Sequence, residues 1–427
     1  MLKNIFSFSM CFLFLASAIY SQQGLLSNWE KTITIKLANE TNLFRGDESV
    51  FLCLKKLKQS YPDFNEKHFV VYSEQDEIPS QAIDKDEDGS ADAVVITKNI
   101  KPRESKEINI YYNTKGESAH NYKKRTQCVL YEKVNYNLVD GYYTGGEFQA
   151  VTKTKIPQNH FAHNALYKTE GPAWESDKVG FRFYLDSRNK NDIFGKKVDT
   201  MVLQSVGIND LVSDSKESYT KMSDWGMDIF KVGESLGLGS IAIRLDEKNN
   251  FVSKTDSVIC SVEENGPLYS SIKTNYFGWE VDGKKYNLCS NLSITAGSRL
   301  SKVNLKITGE PGNICTGIPK HDNTEFVSSS NDSKEGWSYI ALYGKQSLSG
   351  DDLGIVVFYN KLFLIEQAED ALNYYVTLKP DNGKLEYYFG AVWQSELNGI
   401  KSKDEFVGYL NDVVEKLNNP IKVGFEN

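Results

Sequence analysis

Cysteine and histidine are scarce in this chain, which has six cysteines and five histidines among 427 residues. The cysteines that follow the N-terminal segment are widely scattered and include no CxxC pair: Cys53, Cys128, Cys260, Cys289 and Cys315. Five such residues form at most two disulfides, so the chain is not a disulfide scaffold. The same spacing argues against a zinc site built on cysteines.

Phosphate-binding and zinc-protease motifs are missing as well. The GxGxxG and P-loop glycine spacings are absent, and so is the HExxH motif. A net charge of -8 argues against nucleic acid as a partner, because nucleic-acid phosphates require a basic surface. With 40% hydrophobic, 12% aromatic and 25% charged residues, the composition is that of a globular protein.

A long apolar run occurs only at the N-terminus. Lys3 precedes an apolar segment from Ile5 to Ala16, and small residues follow before Gln22. This order predicts a signal peptide over residues 1–22 and an exported protein, periplasmic or secreted. The run is too short to cross a bilayer and no second run follows, so no membrane span is expected.

Alternation of apolar and polar residues dominates the rest of the chain, as in Thr32–Leu37, Glu107–Tyr112 and Val303–Ile307. Such runs predict antiparallel strands with one face on a core. A single clear helix is predicted near the end, where Ser402 and Glu405 form a capping box. Its apolar face contains Phe406, Leu410, Val413 and Leu417.

Two domains are expected, because about 405 residues exceed one ordinary core. Residues 114–124 are polar and basic and lack alternation, so the boundary is placed there. Residues 23–118 are predicted to form a small N-terminal β-sandwich. Residues 119–427 are predicted to form a large all-β sandwich of several sheets that ends in the helix.

An acidic stretch, Asp84–Asp92, matches several positions of an EF-hand calcium loop. The position that requires a bidentate glutamate is Val95, and the flanks Phe69–Tyr72 and Ala93–Ile96 are strand-like rather than helical. The stretch is therefore predicted to be a hairpin loop of the small domain, remote from any active site. A solvated turn and a loop that binds calcium both remain open.

Candidate site residues fall in three blocks. In the first, His160 and His163 could share a metal on a helical turn but not on a strand; one could instead act alone in catalysis, or both could be structural. Trp174, Glu175 and Arg182 follow, which offer the flat ring and charged groups that sugars require. Arg182 is expected to grip an anionic substrate or else to face solvent.

The second block contains Tyr219, Trp225 and Lys231, and the third contains Lys320 and His321 after a proline-ended strand. Loops displayed by a rigid sheet often carry function. Structural turns are the alternative for both blocks. Taken alone, these residues indicate an exported sandwich protein with sugar-binding patches, and they leave the reaction open.

Several segments together resemble one bacterial family. They are "RGDESVFL", "EIPSQAIDKDEDGSAD", "HNALYKTEGPAWESDKVGFRFYLDSRNKNDIFGKK", "DWGMDIFKVGESLGLGSIAI", "GPLYSSIKTNYFGWEVDGKKYNL" and "CTGIPKH". The family is a domain-of-unknown-function family of polysaccharide-utilisation systems that includes the ulvan oligosaccharide dehydratases. In its pattern the tyrosine before "WGMD" is often followed by histidine, whereas Thr220 follows Tyr219 here.

The resemblance implies a β-supersandwich like that of galactose mutarotases. It also implies removal of water from the saturated uronic acid at the non-reducing end of a sulfated, uronate-containing oligosaccharide. The catalytic residues are then expected among His163, Tyr219 and His321. Substrate contacts are expected from Trp174, Glu175, Arg182, Trp225, Lys231 and Lys320.

This elimination requires no redox cofactor, and no metal is expected. A base, either tyrosinate or histidine, takes the C5 proton, an acid protonates the 4-hydroxyl, and a cation stabilises the carboxylate. A tyrosine base would need neighbouring cations to lower its pKa. A polysaccharide lyase and a non-catalytic carbohydrate-binding protein are the alternatives.

Overall fold

The computed structural model describes residues 28–86, 88–207, 219–329 and 334–425. The predicted signal peptide, residues 1–22, lies outside this range. The chain divides into two compact units, Met1–Tyr122 with Ile421–Asn427 and Lys123–Pro420. Within the described residues, no helix is both long enough and apolar enough to cross a membrane.

Among residues 28–122, apart from residue 87, the structure shows seven strands and one short helix. They are β1 (Lys31–Ala38), β2 (Arg45–Cys53), α1 (Leu54–Ser60), β3 (Phe69–Ser73), β4 (Asp76–Ile78), β5 (Ser80–Ile83), β6 (Ala93–Ile100) and β7 (Ser105–Tyr112).

The second unit is built almost entirely of strands. They are β8 (Thr126–Val129), β9 (Tyr131–Val134), β10 (Asn137–Val139), β11 (Tyr142–Thr144), β12 (Glu147–Ala150), β13 (Lys153–Lys155), β14 (Ala173–Ser176), β15 (Val179–Phe183), β16 (Asn191–Lys196), β17 (Gly226–Asp228), β18 (Ala242–Leu245), β19 (Lys248–Phe251), β20 (Ser257–Asn265), β21 (Tyr269–Val281), β22 (Lys284–Thr295), β23 (Leu300–Thr308), β24 (Ile314–Pro319), β25 (Thr324–Ser328), β26 (Trp337–Gly344), β27 (Leu353–Asn360), β28 (Leu364–Glu369), β29 (Asn373–Leu378) and β30 (Lys384–Trp393).

A 3-10 turn lies at Lys361–Phe363, and the chain continues after β30 with α2 (Lys403–Asn418) and β31 (Lys422–Phe425). The mostly-β composition with a C-terminal helix confirms the predicted fold class. All three strands predicted from alternation are present, within β1, β7 and β23. The five cysteines of the described residues are free thiols.

The first unit is a sandwich of two antiparallel sheets. One has the order β31-β1-β7-β3-β4 and the other β2-β6-β5. Alternate residues of both sheets are buried in a shared core, among them Ile33, Ile35, Leu52, Ile96 and Ile108. Because side chains on a strand point to opposite faces in turn, this core follows directly from the alternating pattern.

The acidic stretch connects β5 to β6, which pair in antiparallel fashion with Ile83 opposite Ala93. The predicted hairpin loop is thereby confirmed. Asp84 accepts a hydrogen bond from the Gly89 amide at 2.8 Å, so aspartate caps its own turn.

Strand β31 differs from the expected domain limits. Residues 119–427 were expected to form the large domain, whereas Phe425 of β31 pairs with Ile35 of β1 in the first unit. The edge of β1 offers unpaired backbone groups, and the last strand satisfies them. Pairing across such a sequence distance leaves no local signal in the sequence.

The second unit is a larger sandwich. A nine-stranded sheet of order β13-β20-β21-β22-β23-β30-β27-β26-β25 faces two five-stranded sheets, β17-β16-β15-β14-β8 and β19-β18-β24-β29-β28. Phe181 of β15 and Phe389 of β30 meet between the layers with ring centroids 5.2 Å apart. Two two-stranded sheets, β10-β11 and β12-β9, complete the described strands of this unit.

Helix α2 covers the outer face of the nine-stranded sheet. Its predicted residues Phe406, Leu410 and Val413 are buried against Tyr339 and Phe358 of β26 and β27. The Ser402 hydroxyl accepts a hydrogen bond from the Glu405 amide at 3.2 Å. The Glu405 carboxylate in turn accepts from the Lys401 amide at 2.8 Å, one residue earlier than in a standard capping box.

Candidate active site

Arg182 is the centre of a buried polar cluster in the second unit. Its residue is 5% exposed, and it lies on β15 directly opposite Asp192 of β16. The guanidinium donates to the same Asp192 oxygen from Nε at 3.0 Å and from Nη2 at 2.6 Å. The cross-strand register therefore fixes this ion pair.

A second buried carboxylate, Asp228 of β17, also accepts from Arg182, with Nη2 to Oδ2 at 2.7 Å. Burial and then the neighbouring charge of Asp192 raise the pKa of Asp228 to about 8, although Arg182 opposes this shift. Ionisation of Asp192 therefore disfavours ionisation of Asp228 at neutral pH, although both carboxyl groups bond Arg182.

Glu170 brings a third carboxylate to Arg182 from a loop. Its Oε2 lies 3.2 Å from Nη1 of Arg182, and its side chain is 9% exposed. The next residue must be glycine, because a Cβ on Gly171 would lie 2.1 Å from the Phe183 carbonyl oxygen. Burial alone would raise the pKa of Glu170, but His163, Arg182 and Arg188 outweigh it and hold this pKa well below its usual range.

His163 lies at the exposed end of the cluster. Its Nδ1 is 2.8 Å from Oε1 of Glu170, and 73% of its side chain is exposed. The hydrogen bond that Nδ1 donates to Glu170 raises the pKa of His163 above its ordinary value, whereas partial burial lowers it. His163 and Glu170 both adopt positive φ, +62° and +64°, a conformation that costs energy in a non-glycine residue and often accompanies function.

Tyr219 is held by the same guanidinium nitrogen that contacts Glu170. Nη1 of Arg182 donates to the Tyr219 hydroxyl at 2.8 Å, and Tyr219 is 6% exposed. The contacts through Glu170 and Arg182 keep the His163 Nδ1 and the Tyr219 hydroxyl within roughly 11 Å of each other. His163, Arg182 and Tyr219, which are far apart in the sequence, thus belong to one cluster.

The expected tyrosinate is not what this environment favours. Burial raises the pKa of Tyr219 above its ordinary value, although the Arg182 charge and hydrogen bond lower it. Arg182 also differs from its expected role. Each of its three nitrogens already bonds a protein oxygen, so it positions Glu170 and Tyr219 rather than gripping a substrate.

Arg188 is a member of the cluster that the sequence analysis missed. Its guanidinium bonds Oε1 of Glu170 at 2.7 Å and both oxygens of Asp186 at 2.6 to 2.8 Å. It also stacks on the Tyr184 ring at 3.8 Å from the centroid. Its side chain is 26% exposed, so Arg188 is a cation of the cluster that reaches the surface.

Trp174 and Glu175 do not face a ligand, which corrects their predicted substrate contacts. Trp174 is completely buried between the sheets, and its indole N–H donates to Ser301 at 2.7 Å. Glu175 is completely buried and accepts from the Val202 and Leu203 amides at 2.7 and 2.8 Å. Both lie on β14, an interior strand whose residues are all buried.

The expected role of His321 is also corrected, because both of its ring nitrogens face oxygens of the protein rather than a ligand. Nδ1 is 3.0 Å from Oε1 of Gln346, and Nε2 is 3.0 Å from the Lys231 carbonyl oxygen. The Gln346 amide nitrogen donates to the Leu353 carbonyl at 2.8 Å, which directs its oxygen to His321. His321 therefore joins two loops.

Lys231 and Lys320 lie beside His321. The Lys231 side chain is exposed, whereas Lys320 pairs with Glu369 at 3.3 Å and lies over the Tyr374 ring. None of these contacts reaches Arg182, so the third block forms a cluster of its own. Trp225 lies nearer, half-buried with its ring 6.1 Å from Phe194, which also contacts Tyr219.

The two histidines of the first block bind different partners. Nδ1 of His160 is 2.9 Å from the Asn164 amide nitrogen, whereas His163 binds Glu170. Within the described ranges, the one group of three or more metal-ligating side chains with converging atoms is Asp84, Asp86 and Asp88. The geometry thus favours a single functional histidine, His163, over a histidine pair on a metal.

The sequence Gly233–Gly237 fits the GxSxG pattern of serine hydrolases, but its geometry does not. Ser235 is buried, donates to the Val232 carbonyl at 2.6 Å and accepts from the Gly237 amide at 3.0 Å. A nucleophile elbow instead exposes its serine between a strand and a helix. This serine closes a turn.

The acidic members of the cluster could have been found by one argument. An arginine between Phe181 and Phe183 on an apolar strand is buried if the other face of the sheet is covered, and a buried arginine requires carboxylates. Asp192 and Asp228 are acidic residues in strand-like segments of the same region. Their pairing with Arg182 depends on register, which the sequence does not show.

The family model described as "Domain of unknown function (DUF4861)" matches residues 37–423. The chain belongs to this family. The DUF4861 match begins inside β1 and ends inside β31, so it takes in both compact units. A relative that matches over nearly its full length is "Uncharacterized protein P7" of Formosa agariphila, 23% identical over 449 residues that cover 98% of this chain and 99% of the relative.

Two solved structures from Enterococcus faecalis share a more distant similarity. An alpha-mannosidase from strain V583 has a TM-score of 0.45 and 10% identity, and it covers 93% of this chain and 46% of its own. A protein in the glycosyl hydrolase family 38 has a TM-score of 0.43 and 9% identity, with coverages of 93% and 48%. The DUF4861 chain spans about half the length of each.

Proposed function

We propose that this DUF4861 protein is a carbon–oxygen lyase that dehydrates uronate oligosaccharides of the ulvan type. It would remove water from the saturated uronic acid at the non-reducing end and leave a 4,5-unsaturated uronate. The observation that carries this proposal is a chain of contacts in one cluster: Glu170 orients the exposed His163, and Arg182 bonds both Glu170 and the Tyr219 hydroxyl. The resemblance of the sequence to the ulvan oligosaccharide dehydratases supplies the substrate class.

His163 is proposed as the base. Its Nδ1 faces the Glu170 carboxylate and therefore bears the proton in the neutral ring, which leaves Nε2 free to accept one. The C5 proton of a uronate is acidic because it is α to the carboxylate. Glu170 raises the pKa of His163, so the ring is a stronger base once it is neutral.

Tyr219 is proposed as the acid. Because burial keeps its pKa raised, the phenol retains its proton at neutral pH. Its oxygen accepts from Arg182, so the O–H is free to donate toward the departing 4-hydroxyl. The C5–H and C4–O bonds break, the C4–C5 double bond forms and water leaves. The proton on His163 then returns to Tyr219 through solvent.

Arg188 is proposed to stabilise the charge that develops on the substrate carboxylate. It shares Glu170 with His163 and reaches the surface, whereas the nitrogens of Arg182 are engaged. A guanidinium suits this role because its planar fork matches a carboxylate. Losing such a donor typically lowers turnover by about 10² to 10³.

The test is incubation of the protein with saturated ulvan oligosaccharides, followed by the ultraviolet absorbance of the unsaturated uronate and by mass spectrometry. Loss of one water without chain cleavage is expected. His163→Ala and Tyr219→Phe should each lower kcat by about 10² to 10⁴, and His68→Ala in the first unit should not.

Each alternative gives a different result. A polysaccharide lyase would release two sugar fragments, and a binding protein would show affinity with no new absorbance. A substrate whose uronate is reduced to the alcohol should not react, because its C5 proton is no longer acidic. Turnover of that substrate would overturn the elimination mechanism.

A further inference from the structure

A small hairpin next to His163 exposes large apolar side chains on both of its faces. Strands β10 and β11 pair through a two-residue turn at Asp140 and Gly141, whose φ values of +50° and +85° suit a tight hairpin. Tyr136, Leu138, Val139 and Tyr142 are 42 to 56% exposed. Apolar surface concentrated in this way commonly marks a binding site.

This hairpin is joined to the loop that carries His163. The Tyr143 amide donates to the Asn164 carbonyl at 2.9 Å. The Asn164 amide donates to the Phe161 carbonyl at 3.4 Å and closes a turn that contains His163. Phe161 then meets Tyr142 with ring centroids 5.1 Å apart at 90°. Phe161 is two residues from the proposed base in the sequence, and Tyr142 packs on its ring.

We propose that Tyr142 and Phe161 form an aromatic platform for the sugar unit adjoining the uronate that reacts at His163. This inference rests on the proposed function and extends its site to a second subsite. In a perpendicular pair the edge of one ring covers one face of the other, so most of the flat ring surface stays available. Pyranose rings present C–H faces that pack on such surfaces. Trp174, the tryptophan expected to do this, is buried.

The extent of the surface favours a sugar over a protein. A stable protein interface buries about 800 Å² on each partner, which involves roughly 20 to 30 residues. The exposed apolar side chains here number four on one short hairpin. A single sugar ring requires no more than the faces that Tyr142 and Phe161 provide.

The experiment compares Tyr142→Ala, Tyr142→Trp and Phe161→Ala with the wild type on oligosaccharides of increasing length. Phe44→Ala, which removes a ring that is 55% exposed in the first unit, is the matched control. Both alanine variants should raise KM for the longer oligosaccharides by roughly three- to tenfold and leave kcat nearly unchanged. Tyr142→Trp, which keeps an aromatic ring, should have a KM close to that of the wild type. For the shortest substrate, KM should be the same in all variants.

Calorimetric titration of saturated ulvan oligosaccharides into the same variants separates this inference from the proposed function. If the wild type dehydrates nothing, the proposed function fails, and weaker binding by Tyr142→Ala still supports the platform. Equal affinities for the wild type and both alanine variants would overturn it. A dimer in sedimentation equilibrium that Tyr142→Ala dissociates would also overturn it, by assigning the hairpin to a contact between two copies.

Discussion

Removal of the Arg182 guanidinium should have the largest effect on the stability of the second unit. Arg182→Ala would leave Glu170, Asp192 and Asp228 buried beside one another without their shared cation. Breaking a buried ion pair by deleting one partner costs about 3 to 5 kcal/mol. Because three carboxylates share this guanidinium, the free energy of unfolding should fall by at least the lower figure.

In a domain of this size each kcal/mol corresponds to about 2 to 4 °C, so the Tm should fall by roughly 6 to 20 °C. Arg182→Lys should recover part of this loss. An ammonium keeps the charge but offers three donors without the planar fork, so it cannot bond all three carboxylates and Tyr219. If Arg182→Lys regains part of the lost Tm but little of the lost kcat, Arg182 is a positioning residue.

The measurement is differential scanning calorimetry at neutral pH and at pH near 5. Without the cation, burial and the charge of Asp192 raise the pKa of Asp228 still further above its unfolded value, whereas His163 and Arg188 continue to lower the pKa of Glu170. The folded variant then binds more protons than the unfolded chain, so its stability falls as the pH rises and returns on acidification. In the wild type, the depressed pKa of Glu170 has the opposite sign and loses stability at low pH.

The difference in Tm between the wild type and Arg182→Ala should therefore be smaller near pH 5 than at neutral pH. Arg103→Ala is the control, because this exposed arginine makes a surface hydrogen bond to Asn42. Exposed substitutions of this kind usually change stability by less than about 0.5 kcal/mol. An Arg182→Ala loss no larger than that of Arg103→Ala, or a difference independent of pH, would refute the reasoning.

Three further predictions concern the site and its surroundings. Glu170→Gln should move the acidic limb of the kcat/KM profile to lower pH, because Glu170 raises the pKa of His163; an unmoved limb would exclude His163 as the base. Asp86→Asn combined with Asp88→Asn should leave turnover intact, since both lie on a hairpin loop of the first unit; lost activity in a folded variant would contradict this. Trp174→Ala should lower the free energy of unfolding by about 3 to 5 kcal/mol, read by chemical denaturation, and an unchanged stability with a raised KM would restore its predicted substrate role.

The sequence by itself determined the local structure and the fold class. Alternation set which residues of β1, β7 and β23 face the core, and the Ser402 box set the start of α2. These features depend on neighbours a few residues apart, which a single sequence displays directly. The acidic hairpin was predictable for the same reason, since its flanks are short runs of apolar and β-branched residues typical of strands.

Only the tertiary structure decided which candidates share a site. His163, Arg182 and Tyr219 meet because the β14–β17 sheet and the Glu170 loop bring them together, whereas His321 is bonded elsewhere. Trp174 resembles a sugar platform in composition and proves to be core. Burial and register arise from pairing between strands far apart in the chain, and the sequence records the strands but not their partners. The pKa of each site residue depends on those partners, so its chemistry could be proposed only after the fold was known.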